Sequence, residues 1–390
     1  MRRKALLSVR PFHGQMRERG RGRETDARPR SVTPRLRRTL GLLAPLLVLL
    51  GVLAVSVVLL GAKGSQSFID GAVTASVIIP GAIGLSLLYG IRKFANFAHG
   101  ELMTLGAFVA YFVNVQLEQS IVLGFLTAPL VLAFVGIALE WSIFSKLEGK
   151  GPVAALVASI GVSLILQNLV AALWGTDFKV YDVPLADTIP LPGGHRIAPI
   201  KGLLTLALGA TFVLSVHFLL TRTTLGKAMR ATSDNMELAR TTGIRARRVI
   251  LWTWVLSAAL AAVAGILIGF SRDIRPTMGF DLLLLVFAAV ILGGIGSAYG
   301  AMLGGLVIGL ATEMSGPYLD WLDTNAGLVH GIAYKPVVAF LIMVLVLLVR
   351  PQGILGGKRP AGGTGAVRWL RSRLVSRGGR SAPAGVDHGL

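Results

Sequence analysis

The sequence predicts an all-α, polytopic transmembrane helical bundle of about eight full spans plus one broken or re-entrant helical element. Three observations carry that prediction. The chain is 53% hydrophobic and only 15% charged, with a mean hydropathy of +0.69, whereas soluble domains carry roughly 25% charged residues. Apolar runs recur at about the 20-residue length that a helix needs to cross a bilayer core of roughly 30 Å. The net charge of +20 is gathered in blocks beside those runs. Met1–Thr39 holds thirteen basic against three acidic residues, Arg222–Arg248 seven against two, and Arg350–Leu390 eight against one. Basic blocks of this kind mark cytoplasmic loops and favour anionic lipid, so the charge does not point to nucleic acid. With no cysteine, disulfides and thiolate metal sites are excluded.

In chain order, residues 1–39 read as a basic, disordered cytoplasmic tail. Leu40–Ala62 is longer than the roughly 7–15-residue core of a cleaved signal and reads as a retained extra span. Further spans are expected at Gly71–Ile91, Glu101–Val115, Ile121–Ser145, Pro152–Trp174, Leu203–Leu220, Ile250–Phe270 and Ile332–Val349. All are helices because lipid cannot satisfy exposed backbone groups. Trp141, Trp174, Trp252 and Trp254 fall near span ends, where aromatic belts form. An inside amino terminus places Arg92–Lys93, Lys146–Lys150 and Arg222–Arg248 inside. It places Gly175–Ile200, with Asp177, Asp182 and Asp187, outside.

Asp281–Thr312 breaks this alternation. A single crossing would leave the basic stretch after Arg350 outside and the acidic segment Glu313–Gly331, which lacks Lys and Arg, inside. A segment that dips in and returns removes both conflicts, and Gly293–Gly300 supplies the break. Two half-length or tilted helices fit its length; the plainer reading is close helix packing by small residues. Both termini are then cytoplasmic, with residues 358–390 a second basic, disordered tail.

Two constellations stand out. Asn96, His99, Gly100 and Glu101 cluster at the cytoplasmic edge after Arg92-Lys93. Asn96 is placed to cap the next helix, and Glu101 in its first turn complements the dipole. His99 reads as a hydrogen-bonded interfacial histidine, and without a second His or Cys nearby no metal site is expected. The loop Thr224–Arg248 is too long for a turn. Lys227–Thr242 holds good helix formers, Ser233 or Asp234 is placed to cap a second short helix, and Gly243 fits a C-terminal stop. Such a helix among basic residues is either a docking surface or a segment lying on anionic lipid.

Catalytic chemistry finds little support, and no catalytic residue is assigned. Ser297 beside His217 or His330 makes no recognisable hydrolase pattern, and a Walker-type phosphate loop is missing. Glu140 is the main intramembrane carboxylate that an ion-coupled carrier would use.

Glu237-Leu238-Ala239 followed by Gly243 resembles the loop by which ABC-importer permeases engage their ATP-binding subunits, with Leu238 where the family has alanine. Gly84–Gly90 with Asn96–Leu102 is similar to the signature of the Liv-type branched-chain amino-acid ABC permease family. So are Pro276 with Gly279, Phe287–Ser297, Gly300, Gly304-Gly305, and the ending Arg350–Gly356. The resemblance covers about Ser65–Gly357 and implies a permease domain at 63–357. Arg92-Lys93, the Leu40–Ala62 span and both tails depart from it. It implies an inner-membrane subunit coupled to ATP hydrolysis through Gly226, Arg230, Ala231, Glu237, Ala239 and Gly243. Implied partners are two ATP-binding subunits carrying ATP and Mg, a second homologous permease, and a periplasmic or lipid-anchored binding protein; this chain itself would bind no cofactor. Gly293, Gly294, Gly296 and Ser297 are candidates for the translocation path. Urea or short amides remain an alternative cargo.

Overall fold

A computed structural model describes residues 34–183, 188–191, 195–271, 273–326 and 331–355. Two compact units divide the chain, residues 1–43 and 44–390, and every contact below lies within the second. The helices are α1 (Pro34–Arg92), α2 (Ala98–Tyr111), α3 (Ile121–Ser142), α4 (Pro152–Trp174), α5 (Thr205–Arg222), α6 (Thr224–Asp234) and α7 (Met236–Thr241). They continue with α8 (Ala246–Ser271), α9 (Met278–Gly293), α10 (Ala298–Met314), α11 (Gly316–Ala326) and α12 (Lys335–Val349). Among the described residues one antiparallel strand pair, β1 (Ile189–Leu191) with β2 (His195–Ile197), precedes α5.

Helices α2 and α8 form the interior. Eleven of the fourteen residues of α2 are buried, packed among α3, α4, α8 and α9. Their crossing depends on small residues: a Cβ on Gly106 would fall on Ala262, and one on Gly265 would coincide with the Met103 carbonyl. Helices α3, α4 and α5 instead present apolar side chains outward, with Phe134 73%, Ile165 67% and Leu214 66% exposed. Such a belt would be an aggregation liability in water, and it is the surface that lipid demands.

Five helices among the described residues are long and apolar enough to cross a membrane: Lys63–Arg92, Ile121–Leu147, Pro152–Trp174, Gly202–Arg222 and Ala246–Ser271. The sequence predicts about eight; the other predicted spans beyond Ala62 fall on the shorter helices α2, α9, α10 and α12. The expected break between Leu40–Ala62 and Gly71–Ile91 is absent, because α1 is continuous. Lys63–Asp70 contains no proline, and its side chains reinforce the helix: Ser67 Oγ donates to the Lys63 carbonyl and Gln66 Nε2 to Asp70. Trp254 is fully buried against Phe144, ring centroids 4.8 Å apart, and so leaves the predicted belt, while Trp141 and Trp252 stay exposed.

The broken element is a hairpin of two helices. The α9 and α10 helices pack on each other, and Gly294–Ser297 turns between them. At sixteen and seventeen residues they are about 24 and 26 Å long, nearer full than half depth. Their turn lies against Gly90, two residues from the end of α1. The far end of α10 meets the middle of α1, where Thr74 Oγ1 donates to Glu313. The segment therefore folds back on itself, with its two ends on the same side of its turn. The α9 carbonyls left open at the turn accept from the Ile354 and Leu355 N–H groups at 2.8 and 2.9 Å. That seats the ending Arg350–Leu355, and a Cβ on Gly353 would strike the Gly294 backbone.

Candidate functional site

At the end of the bundle where α5 turns into α8, two short helices project. Thr223 Oγ1 accepts from the Gly226 N–H at 3.0 Å and caps α6; Asn235 Oδ1 accepts from the Leu238 N–H at 3.0 Å and caps α7. The cap of α7 is thus Asn235, not Ser233 or Asp234, because the Ser233 hydroxyl donates to the Gly90 carbonyl. The C-terminus of α7 stops as the sequence predicts. Gly243 has φ +88°, its N–H bonds the Arg240 carbonyl, and the Ile244 N–H bonds Ala239. This doubly bonded stop requires left-handed backbone, which glycine adopts at no steric cost.

Ala239 is buried beneath α7, while Glu237, Leu238, Arg240 and Gly243 face out, Leu238 being 62% exposed. A Cβ on Gly243 would meet nothing within 4 Å. Arg230 on α6 is also exposed and Ala231 half-buried. Gly226 has a different part: a Cβ there would collide with the Leu219 carbonyl at the α5–α6 corner.

The cluster Asn96–Glu101 sits inside the bundle rather than at its edge, all four named residues being buried. Lys93 turns the chain with φ +58°, and the following segment runs back along α1. His99 ends beside Gly81 and Gly84, roughly 12–16 Å along the axis from Arg92. Its Nε2 donates to the Gly81 carbonyl at 2.9 Å, which fixes that nitrogen as protonated; Nδ1 faces Ser257 Oγ at 3.5 Å. His99 therefore ties α2 to α1 and α8. Asn96 is not the cap of α2, which is Phe97 without a side-chain cap; its Oδ1 accepts from the Ala98 N–H at 3.2 Å in a local turn before the helix, and its amide nitrogen is buried without a hydrogen bond. Gly100 lies on Gly279, and Thr104 Oγ1 accepts from the Gly279 N–H at 3.0 Å, pinning the start of α9 to α2. Glu101 Oε2 is buried without a hydrogen bond, in the first turn of α2 where the helix dipole favours negative charge.

Pairings that the sequence did not foreshadow join this end together. Arg92, 7% exposed at its side chain, reaches Glu140 at 3.5 Å and Glu148 at 3.6 Å and donates to the Phe144 carbonyl. The other oxygen of Glu148 accepts from Arg240 at 3.2 Å. Lys93 Nζ donates to the Ser233 carbonyl at 2.9 Å. Burial pushes the Lys93 ammonium below its ordinary pKa, and Asp234 pulls it back up. Their proximity joins residues 48 or more positions apart, so no local pattern announces it.

At the opposite end a cavity of about 1030 Å³ opens among α1, α9, α10, the start of α12 and the loop after α4. Its wall combines apolar Val77, Ile78, Leu282 and Leu285 with the Arg275–Asp281 ion pair, 2.7 Å apart. Lys335, also on the wall, pairs with Glu313 at 2.6 Å. The loop after α4 is anchored there. Asn114 exchanges hydrogen bonds with the Asp182 backbone, and Tyr181 packs on Gly269 and donates to the Ala107 carbonyl. Asp187, residues 1–33 and residues 358–390 lie outside the described residues, whereas residues 34–39 of the expected amino-terminal tail belong to α1. Gly293, Gly294, Gly296 and Ser297 do not line this cavity; they form the α9–α10 turn, where Ser297 Oγ caps α10 by accepting from Gly300. Among the described residues no group of His, Asp and Glu could hold a metal ion.

These features define a multi-pass helical membrane protein with a docked pair of capped helices at one end and a charged cavity at the other. A family model described as "Branched-chain amino acid transport system / permease component" matches residues 67–347, and the chain belongs to that family. It is 33% identical over 285 residues to the high-affinity branched-chain amino acid transport system permease protein LivH of Salmonella typhimurium, covering 70% of this chain and 89% of that one. It is 33% identical over 291 residues to BraD of Pseudomonas aeruginosa, a permease protein of a system with the same description, with the same coverage. A probable branched-chain amino acid transport permease protein LivH of Methanocaldococcus jannaschii is 30% identical over 279 residues.

Proposed function

We propose that this chain is the membrane-spanning permease subunit of an ABC importer that moves branched-chain, hydrophobic amino acids across the inner membrane. Family membership supports the transport role and the cargo. The observation that carries the coupling role is α7: a short helix with a capping residue at its start and a glycine stop after it, anchored by buried Ala239 and presenting Glu237, Leu238 and, just past its end, Gly243 outward. A helix so short has no stability of its own, and its exposed apolar Leu238 suits insertion into a partner. Two ATP-binding subunits dock here and supply ATP and Mg, a second homologous permease completes the pathway, and an external binding protein delivers substrate.

This assignment makes the α7 end cytoplasmic, along with both basic tails. The cavity then faces the binding protein. Its volume is at the upper edge of the roughly 300–1,000 Å³ usual for small-ligand pockets. That suits a vestibule passing on an amino acid whose affinity resides in the binding protein. Apolar wall and paired charges of both signs match a zwitterion with a hydrophobic side chain.

Replacing Gly243 with Trp forces a Cβ into left-handed backbone, at a cost of about 1–2 kcal/mol, and adds bulk to the exposed stop. Leucine uptake by the Gly243→Trp variant is expected to fall at least tenfold while the membrane level of the protein is unchanged. Normal uptake removes α7 as the dock.

A further inference from the structure

Arg92 and Lys93 stand where the family resemblance leads one to expect apolar residues, and both find partners leading to the α6–α7 pair. Lys93 Nζ bonds the Ser233 carbonyl in the last turn of α6, and Ser233 Oγ bonds back to Gly90 at 3.1 Å. Arg92 bonds Glu148, whose second oxygen holds Arg240 on α7. The same last turn of α1 lies against Gly296 in the α9–α10 turn. It leads directly into Phe94, stacked on Phe144 with centroids 5.2 Å apart, and on to the buried segment before α2.

We propose that Arg92 and Lys93 are positioning residues that carry displacement of the docking helices into the interior, with Glu148 as the link between Arg92 and Arg240. Arg92 and Glu140 are buried charges, and separating a buried ion from its partners is strongly unfavourable. If α7 shifts with Arg240, Glu148 follows one arginine and draws on the other. The end of α1 then moves too, and with it the extended segment that sets the start of α2. A second route exists through the chain itself, from α6 into α5 across the Gly226 corner. That route reaches α1 by apolar packing, Val216 and Leu220 lying with Ile83, whereas the ionic route acts on the last turn of α1 and on the segment that leads into α2. The proposal rests on the reading of α7 as the dock for an ATP-binding subunit.

The test uses the complete transporter in proteoliposomes, measuring leucine moved per ATP hydrolysed. Glu148 is partly exposed, so Glu148→Gln removes the link without stranding a fully buried acid. Lys93→Gln cuts the other tie on exposed side chain. Each variant should retain the ATP-binding subunits and basal ATP hydrolysis, while leucine moved per ATP falls roughly fivefold or more. An unchanged ratio in both overturns the proposal, even if uptake and hydrolysis fall together, because a merely structural role lowers both in step. Should Glu148→Gln not accumulate, the Lys93→Gln ratio decides by the same criterion. If the wild-type chain retains no ATP-binding subunit, the docking reading fails first and takes this proposal with it.

Discussion

Gly265 shows what a single position can hide. Within the run Ala258–Gly269 nearly every residue is small or aliphatic, so the pattern says only that α8 packs closely somewhere. The structure assigns the closest approach: the Met103 carbonyl occupies the space a Cβ would need. Gly265→Ala should therefore destabilise the protein by about 1–3 kcal/mol, through overpacking against backbone that cannot yield. A lowered melting temperature in detergent checks this, and an unchanged one contradicts the α2–α8 contact. His99 was more legible. Its isolation from other ligands marked it as a hydrogen-bonded histidine, and it bonds Gly81. Its depth was not legible, because it depends on Lys93 turning the chain back along α1. Arg92 lay further from reach, its carboxylate partners being 48 and 56 positions away.

At the scale of elements, the α6–α7 pair was read from helix formers and a glycine stop. Only the capping residue differed, for a tertiary reason: Ser233, Asp234 and Asn235 are all good caps, and Gly90 claims the Ser233 hydroxyl. Asn235→Ala should cost about 1 kcal/mol of α7 stability. If α7 is the dock, affinity for the ATP-binding subunit should weaken about fivefold; unchanged affinity contradicts the role given to this cap. The α9–α10 hairpin was likewise readable from charge placement and a glycine-rich centre. The continuity of α1 was not, since the more polar stretch Lys63–Asp70 separates two apolar runs and yet continues the helix.

For the whole molecule, the arrangement predicts which end of the bundle faces which compartment. The chain contains no cysteine, so single cysteines report side without background. Thr324→Cys in α11 should react with an impermeant reagent added outside, and Ser297→Cys in the α9–α10 turn only from inside. Thr324→Cys reacting only from inside contradicts the returning hairpin. Composition and charge placement were enough to show a membrane protein, whereas the cavity, built from five separated segments, had no signature in any one of them. On the proposed function, this chain moves cargo only as part of an ATP-driven assembly. The most direct test is leucine accumulation in proteoliposomes holding the chain with its second permease, ATP-binding subunits and binding protein. Accumulation should require ATP and every subunit; accumulation by this chain alone, driven by an ion gradient, would show a self-sufficient carrier instead.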